Sequence, residues 1–429
     1  MGCKTDSLTL KNNKKMKRLL LITALCAALC SSCSNDDTPA VPEPPVDPTF
    51  ELVELDARTR NAIASQGNVF ANKLMLQMNQ QVPDANLMIS PMSLQYALGM
   101  LSNGCSETAL KEITDAMGMK DYSLDMLNSF FYNLTQTLAK EDKDFTLKLA
   151  NAIWIQENFE VGKDFIQNNK ALFDADVKDI DFTQADKAKK TINEWAEKAT
   201  NGTIKELSLQ INDDMRAVLA NACYLKGKWT LPFDKKETKK ATFHNQDGTT
   251  SEVDMMHLKK RFNFRDSAGD PYMAVELPYG DQTFSMVIVV PKENYTLDEI
   301  LPTLDWNRLS MGGWEVNVEL PKFKIEASYP KEIMKCVKEM GISQIFIPGS
   351  LPGINEELFV GQITQDTFID VDEAGTEASA VTTVGMDASA GPVVTPPPTP
   401  TIRMDRPFAF AIRENTTGAV LFMGKVVQM

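Results

Sequence analysis

Two histidines, His244 and His257, are the only imidazole groups in the 429-residue chain. Enzymes that use a serine or cysteine nucleophile usually place an imidazole base beside it. Both histidines fall in one segment with β-strand character, near residues 241–264, and no nucleophile–base–acid set accompanies them. Two imidazoles are also too few for a His-rich metal site. We therefore predict no catalytic residues, no metal site, no cofactor and no enzyme activity.

The seven cysteines indicate neither a disulfide framework nor a zinc site. Three lie in an apolar segment near the N terminus, and Cys3 precedes it. Cys105, Cys223 and Cys336 are single and widely spaced, without the paired spacing of metal ligands or disulfide-rich domains. We expect these three to be small buried hydrophobic residues.

The N terminus has the pattern of an export signal. Lys17 and Arg18 precede the apolar run LLLITALCAALCSSC, which predicts a signal peptide over residues 1–33. The run ends in a sequence that resembles the bacterial lipobox, with Cys33 as the acylated residue, and SNDD at 34–37 resembles a surface-export signal of bacterial lipoproteins. We expect an outer membrane lipoprotein at the cell surface, attached to the membrane only by its lipid anchor. The alternative is a plain cleaved signal peptide.

Length and composition indicate one large domain after a short tether. Residues 34–49 are rich in proline and acidic residues and too poor in apolar residues to fold. Residues 50–429 show no internal repeat and no second linker. The formal net charge of −14 argues against a nucleic-acid partner, because nucleic-acid-binding proteins present a basic face. We expect a monomer.

Helical and strand patterns alternate irregularly through this domain. Helical patterns occupy residues 58–81, 93–101, 107–117, 121–139 and 186–199. Strand patterns occupy residues 147–155, 217–229, 284–291 and 314–327, and two more close the chain. The first two strand segments are continuous apolar runs, typical of strands that are buried on both faces. Because there is no regular βαβ order, we predict an α+β fold.

The stretch at residues 371–390 alternates in polarity. Every second residue from Thr376 to Ala388 is small or apolar, and the residues between them are mostly polar. A period of two is typical of a strand with one buried face. However, the stretch runs into the proline-rich residues 391–400, and prolines cannot continue a central strand. We therefore predict an exposed loop that is able to become a buried strand.

The domain resembles the serpin family of protease inhibitors over nearly all of residues 50–429. The motifs that carry the resemblance are NLMISPMS at 86–93, NACYLKGKW at 221–229, DEAGTEA at 372–378, and RPFAF at 406–410 with LFMGKV at 421–426. Each motif is short, but together they have the family's order and spacing, which makes the resemblance specific.

The resemblance implies three β-sheets, about eight to nine α-helices and an exposed reactive-centre loop at about residues 373–402. It also implies inhibition of serine proteases, with cysteine proteases as a second target class. A protease attacks the loop and forms an acyl-enzyme, and the cleaved loop then enters the central sheet and traps the protease. The alternative is a non-inhibitory serpin that acts as a binding module, but such members tend to have bulky, charged or proline residues in the hinge.

The resemblance also assigns roles to individual residues. The hinge of the loop comprises Glu373, Gly375, Thr376, Glu377, Ala378, Ser379 and Ala380. The shutter, a polar cluster that controls sheet opening, comprises Ser90, Ser93, Asn193 and Gln365, where Gln365 replaces the family's usual histidine. Trp229 lies at the breach, the opening of the sheet. For Ser90, helix capping before Pro91 is an equally supported role.

The family's usual spacing from Gly375 places the reactive bond between Ser389 and Ala390. The residues around this bond are small and uncharged, which favours elastase-like or subtilisin-like proteases. There is no lysine or arginine between Val371 and Ile402, so a trypsin-like target is not expected. The loop is longer than usual, and Val384, Met386 and Val393 remain alternative cleavage positions.

Overall fold

The computed structural model describes residues 52–138, 144–376 and 399–429. All the described residues belong to one compact unit, Val46–Met429. The predicted signal peptide, the lipid-anchor residue Cys33 and the tether therefore lie outside the described residues. No helix among the described residues is long and apolar enough to cross a membrane.

The described residues form eight α-helices and three short 3-10 helices. The α-helices are α1 (Ala57–Gln81), α2 (Pro91–Ser102), α3 (Glu107–Ala116), α4 (Leu124–Leu138), α5 (Lys163–Phe173), α6 (Ala185–Ala199), α7 (Leu297–Ile300) and α8 (Pro330–Glu339). The 3-10 helices are Lys235–Glu237, Leu301–Thr303 and Gln344–Phe346. All twelve residues of α2 are buried, as its apolar sequence predicts.

Fifteen strands alternate with these helices over the described residues. They are β1 (Leu87–Ile89), β2 (Phe145–Gln156), β3 (Asp176–Ile180), β4 (Ala217–Lys228), β5 (Lys239–His244), β6 (Thr250–Arg265), β7 (Tyr272–Tyr279), β8 (Phe284–Pro291), β9 (Gly312–Pro321), β10 (Phe323–Ser328), β11 (Val360–Val371), β12 (Gly375–Thr376), β13 (Thr401–Arg403), β14 (Phe408–Glu414) and β15 (Val420–Val426). The predicted α+β class is confirmed.

The described strands form two sheets, whereas three were expected. One sheet has nine strands in the order β1-β15-β14-β8-β7-β6-β9-β13, with β5 also paired to β6. The other has six strands in the order β10-β11-β12-β4-β2-β3. The difference arises because the sixteen-residue strand β6 pairs with β5, β7 and β9, and so joins strands that would otherwise form two separate sheets.

The six-stranded sheet is covered on both faces, which explains the continuous apolar sequences of β2 and β4. On one face, Leu219 and Leu225 of β4 belong to the main hydrophobic core, together with residues of the nine-stranded sheet. On the other face, Val218 and Ala220 pack beneath α6 in a smaller cluster. Each face of β4 therefore has its own core.

Candidate functional site

The border between β4 and β11 is a seam in the six-stranded sheet. β11 and β4 pair directly in parallel, from Val360 opposite Ala217 to Phe368 opposite Tyr224. At the end of this seam, β12 lies between the two strands and pairs antiparallel with both. The chain that leaves β11 therefore turns back and begins a new strand inside the sheet.

A tight turn at Asp372 reverses the chain before β12. The Asp372 carboxylate accepts hydrogen bonds from the backbone N–H groups of Ala374 and Gly375, at 2.8 and 3.1 Å. Gly375 has a φ of 155°, and a Cβ atom built on it would lie 2.0 Å from the carbonyl oxygen of Gly227. Only glycine fits here, because any side chain would collide with the backbone of β4.

Thr376 is fully buried in the seam. Its Oγ1 atom forms a 2.8 Å hydrogen bond with the hydroxyl of Tyr279, whose ring stacks on that of Trp229 with centroids 4.5 Å apart. Burial raises the pKa of Tyr279, so this hydroxyl stays neutral, and it can be either the donor or the acceptor in the hydrogen bond with Thr376. Thr376, the first small residue of the predicted hinge, therefore lies in a packed site with a polar partner.

Trp229 holds the turn from the β4 side. Its backbone N–H donates to the carbonyl of Ala374 at 2.9 Å, and its indole Nε1 donates to the carbonyl of Asp372 at 3.0 Å. The residue predicted at the breach thus lies directly against the turn. With both donors engaged, Trp229 fixes the position at which the chain enters the seam.

Glu373 anchors the same turn through a buried carboxylate. It is 2% exposed. Its carboxylate forms an ion pair with Lys322 Nζ at 2.8 Å and accepts a hydrogen bond from Thr238 Oγ1 at 2.7 Å. Burial by itself raises the pKa of the Glu373 carboxyl, but the hydrogen bonds from Lys322 and Thr238 outweigh it and hold the pKa below its ordinary value. The carboxylate is therefore charged and paired at neutral pH.

A buried amide pair joins β11 to the start of α2. The side chain of Gln365 accepts from the backbone N–H of Ser90 at 2.8 Å and donates to the carbonyl of Ser90 at 2.7 Å. The Ser90 hydroxyl donates to the carbonyl of Leu421 and accepts from the backbone N–H of Ser93. Ser90 thus has both proposed roles: it caps α2 and contacts the predicted shutter glutamine.

Asn193 does not hydrogen-bond with this cluster, which corrects its predicted place in the shutter. Its Oδ1 atom accepts from the backbone N–H of Leu207, on the other face of the sheet. In the backbone register, position 221 of β4 lies opposite Gln365 of β11 and opposite Asn151 of β2.

The remaining predicted site residues lie outside the described residues. These are the hinge positions Glu377, Ala378, Ser379 and Ala380, and the reactive-bond residues Ser389 and Ala390. Sequence reasoning missed Tyr279 and the two partners of Glu373. Tyr279 is 97 residues from Thr376 in the sequence, and Thr238 is 135 residues from Glu373. No local sequence pattern predicts contacts between residues so far apart.

The fold is α+β, and its six-stranded sheet contains the start of a strand, β12, between β4 and β11. Comparison with known proteins identifies the family. The sequence model described as Serpin (serine protease inhibitor) matches residues 65–429. The chain therefore belongs to the serpin family. Serpins are generally protease inhibitors rather than enzymes.

Individual relatives cover most of the chain. An uncharacterized serpin-like protein of Methanosarcina mazei is 32% identical, over 95% of this chain and 97% of its own length. Leukocyte elastase inhibitor of Equus caballus is 31% identical, over 83% and 96%. Among solved structures, the native state of the thermophilic serpin tengpin has a TM-score of 0.77 at 27% identity, over 90% of this chain and 97% of that chain.

Proposed function

We propose that this protein is a suicide-substrate inhibitor of serine proteases, with cysteine proteases as a second target class. A protease cleaves the loop and forms an acyl-enzyme, and the loop then enters the seam and traps it. Serpins are a known example of loop insertion into a β-sheet. The observation that carries the proposal is β12: Gly375 and Thr376 already pair with β4, and Thr376 also pairs with Val371 of β11.

The β12 register supports insertion along the whole seam. If the loop continued β12 in the same register, Ala378 would lie opposite Leu225 of β4 and Ile369 of β11, which are both core residues. The even-numbered loop residues would then face the core, as Thr376 does. These residues are small or apolar through Ala388, so they would enter a packed core without an unpaired charge.

Insertion would also improve the hydrogen bonding of the sheet. β4 and β11 now pair in parallel, and a strand between them would replace this with two antiparallel pairings. Antiparallel pairs are slightly more stable per residue than parallel ones. The loop would bury its backbone groups with partners on both sides, which supplies a driving force once cleavage releases its far end.

The residues at the predicted reactive bond favour an elastase-like or subtilisin-like target. Ser389 and Ala390 are small and uncharged, and they suit shallow specificity pockets. The similarity to a relative that is named leukocyte elastase inhibitor supports this target class.

An elastase is the test of the proposed function. We expect a band that survives denaturing electrophoresis and has the mass of the protease plus that of the inhibitor without the fragment that begins at Ala390. The acyl bond to Ser389 persists, whereas the fragment released by cleavage separates on denaturation. Trypsin is the matched control, since no lysine or arginine lies between Val371 and Ile402. A complete cut with no high-mass band, for elastase and subtilisin alike, would reject inhibition and favour the alternative, a non-inhibitory binding module.

We further propose that the inhibitor is a surface lipoprotein attached through Cys33. The lipobox-like run before Cys33 and the acidic residues after it support this proposal. In bacteria fed a labelled fatty acid, the wild-type protein should carry the label, and Cys33→Ser should lose it and leave the membrane fraction. Cys30→Ser is the matched control and should keep the label. Equal labelling of wild type and Cys33→Ser would contradict the proposal.

A further inference from the structure

A segment that follows α6 crosses the six-stranded sheet on the face opposite the main core. We name residues 203–211 the strap. The strap is attached to α6 and to β4, which lies on one side of the seam between β4 and β11. The backbone N–H of Leu207 donates to Asn193 of α6 at 2.9 Å, and Leu207 and Leu209 pack in one cluster with Val218 of β4. The chain then runs directly from the strap into β4.

The strap is also tied to β11, on the other side of the seam. Gln362 accepts from the backbone N–H of Gln210 and donates to the carbonyl of Ser208, both at 3.1 Å. We name these two hydrogen bonds the clasp. Gln362 is 5% exposed, so water does not readily replace its partners. Asp366, four residues further along β11, is also buried and accepts a hydrogen bond from the hydroxyl of Thr364.

The clasp spans the place where a new strand would enter. Gln362 lies opposite Val218 in the parallel register of β11 and β4. Neighbouring strands are about 4.8 Å apart, so one inserted strand would increase the separation of β11 from β4 to about 9.6 Å. A hydrogen bond does not reach across such a change. The strap cannot remain on β4 and keep both bonds to Gln362.

We infer that Gln362 is a positioning residue that holds the seam closed until the loop inserts, by tying β11 to a strap that stays with β4 and α6. The inference rests on the proposed insertion of the loop. The clasp opposes separation of the two strands in the uncleaved protein and is broken in the fully inserted form. It therefore sets how fast the sheet opens.

Uptake of a synthetic strand tests the inference without a protease. The probe is an N-acetylated peptide with the sequence of residues 377–388, which would occupy the seam beyond β12 as an added strand. Its incorporation into the uncleaved protein is followed by native electrophoresis and mass spectrometry. We expect Gln362→Ala to take up the peptide about tenfold faster than wild type, the effect of losing one or two buried hydrogen bonds. Ser208→Ala is the matched control and should match wild type, because the clasp uses only the Ser208 backbone.

A second measurement separates this role from ordinary stabilisation. In protein cleaved by elastase the clasp is already broken, so the cleaved forms of wild type and Gln362→Ala should melt at the same temperature. Equal peptide uptake by both proteins, or an equal loss of melting temperature in uncleaved and cleaved forms, overturns the inference. If no protein takes up peptide and none forms a covalent complex, the proposed function itself fails, and the inference fails with it.

Discussion

Thr376→Arg is expected to convert the inhibitor into a substrate. Thr376 is fully buried beside Tyr279. An arginine at this position would place an unpaired charge in a dry site, which would destabilise the inserted loop by roughly several kcal/mol. Insertion would then be slower than release of the cleaved product. With elastase, we expect at least about tenfold less covalent complex and correspondingly more cleaved chain, measured by densitometry after denaturing electrophoresis.

The matched control is Thr401→Arg, at the other end of the loop. Thr401 is exposed on the edge strand β13, so an arginine there stays in water. This variant should form as much complex as wild type. An unchanged yield of complex for Thr376→Arg would show that entry of this residue into the sheet is not required for inhibition.

Cleavage of the loop is expected to raise the melting temperature of the domain by more than about 10 °C, because an added central strand brings new backbone hydrogen bonds and apolar burial. Among the described residues, the uncleaved sheet contains two residues of that strand, Gly375 and Thr376 of β12. Scanning calorimetry before and after treatment with elastase measures the change.

Cleaved Thr376→Arg serves as the control for this change. Its loop is cut at the same bond, but the added charge blocks entry, so its melting temperature should stay close to that of its uncleaved form. Superimposable melting curves for uncleaved and cleaved wild type would mean that the cut loop gains no burial.

Much of the fold was predictable from local patterns. The buried helix α2 and the doubly buried strands β2 and β4 follow from continuous apolar sequences. The helix α8 was not singled out, although Pro330 at its start and the buried Ile333, Cys336 and Val337 form a recognisable amphipathic pattern. The number of sheets was not predictable, because it depends on which edges of β6 find partners.

The candidate site was predictable only in part. Motifs indicated Thr376, Trp229 and Gln365, which the structure places along one seam. They could not show that Asn193 of α6 contacts Leu207 on the other face of the sheet, since the face that a helix covers is a tertiary property. The clasp joins residues more than 150 positions apart in sequence, so no local signal reveals Gln362.

The position of β15 has a consequence for biogenesis. This strand ends at Val426, three residues before the C terminus, yet it lies between β1 and β14 and is buried along its full length. Its partner β1 comes from residues 87–89, near the start of the domain. The nine-stranded sheet therefore cannot close until β15 has been synthesised and has left the ribosome, so β1 and β14 lack this shared partner while the segments before β15 are translated.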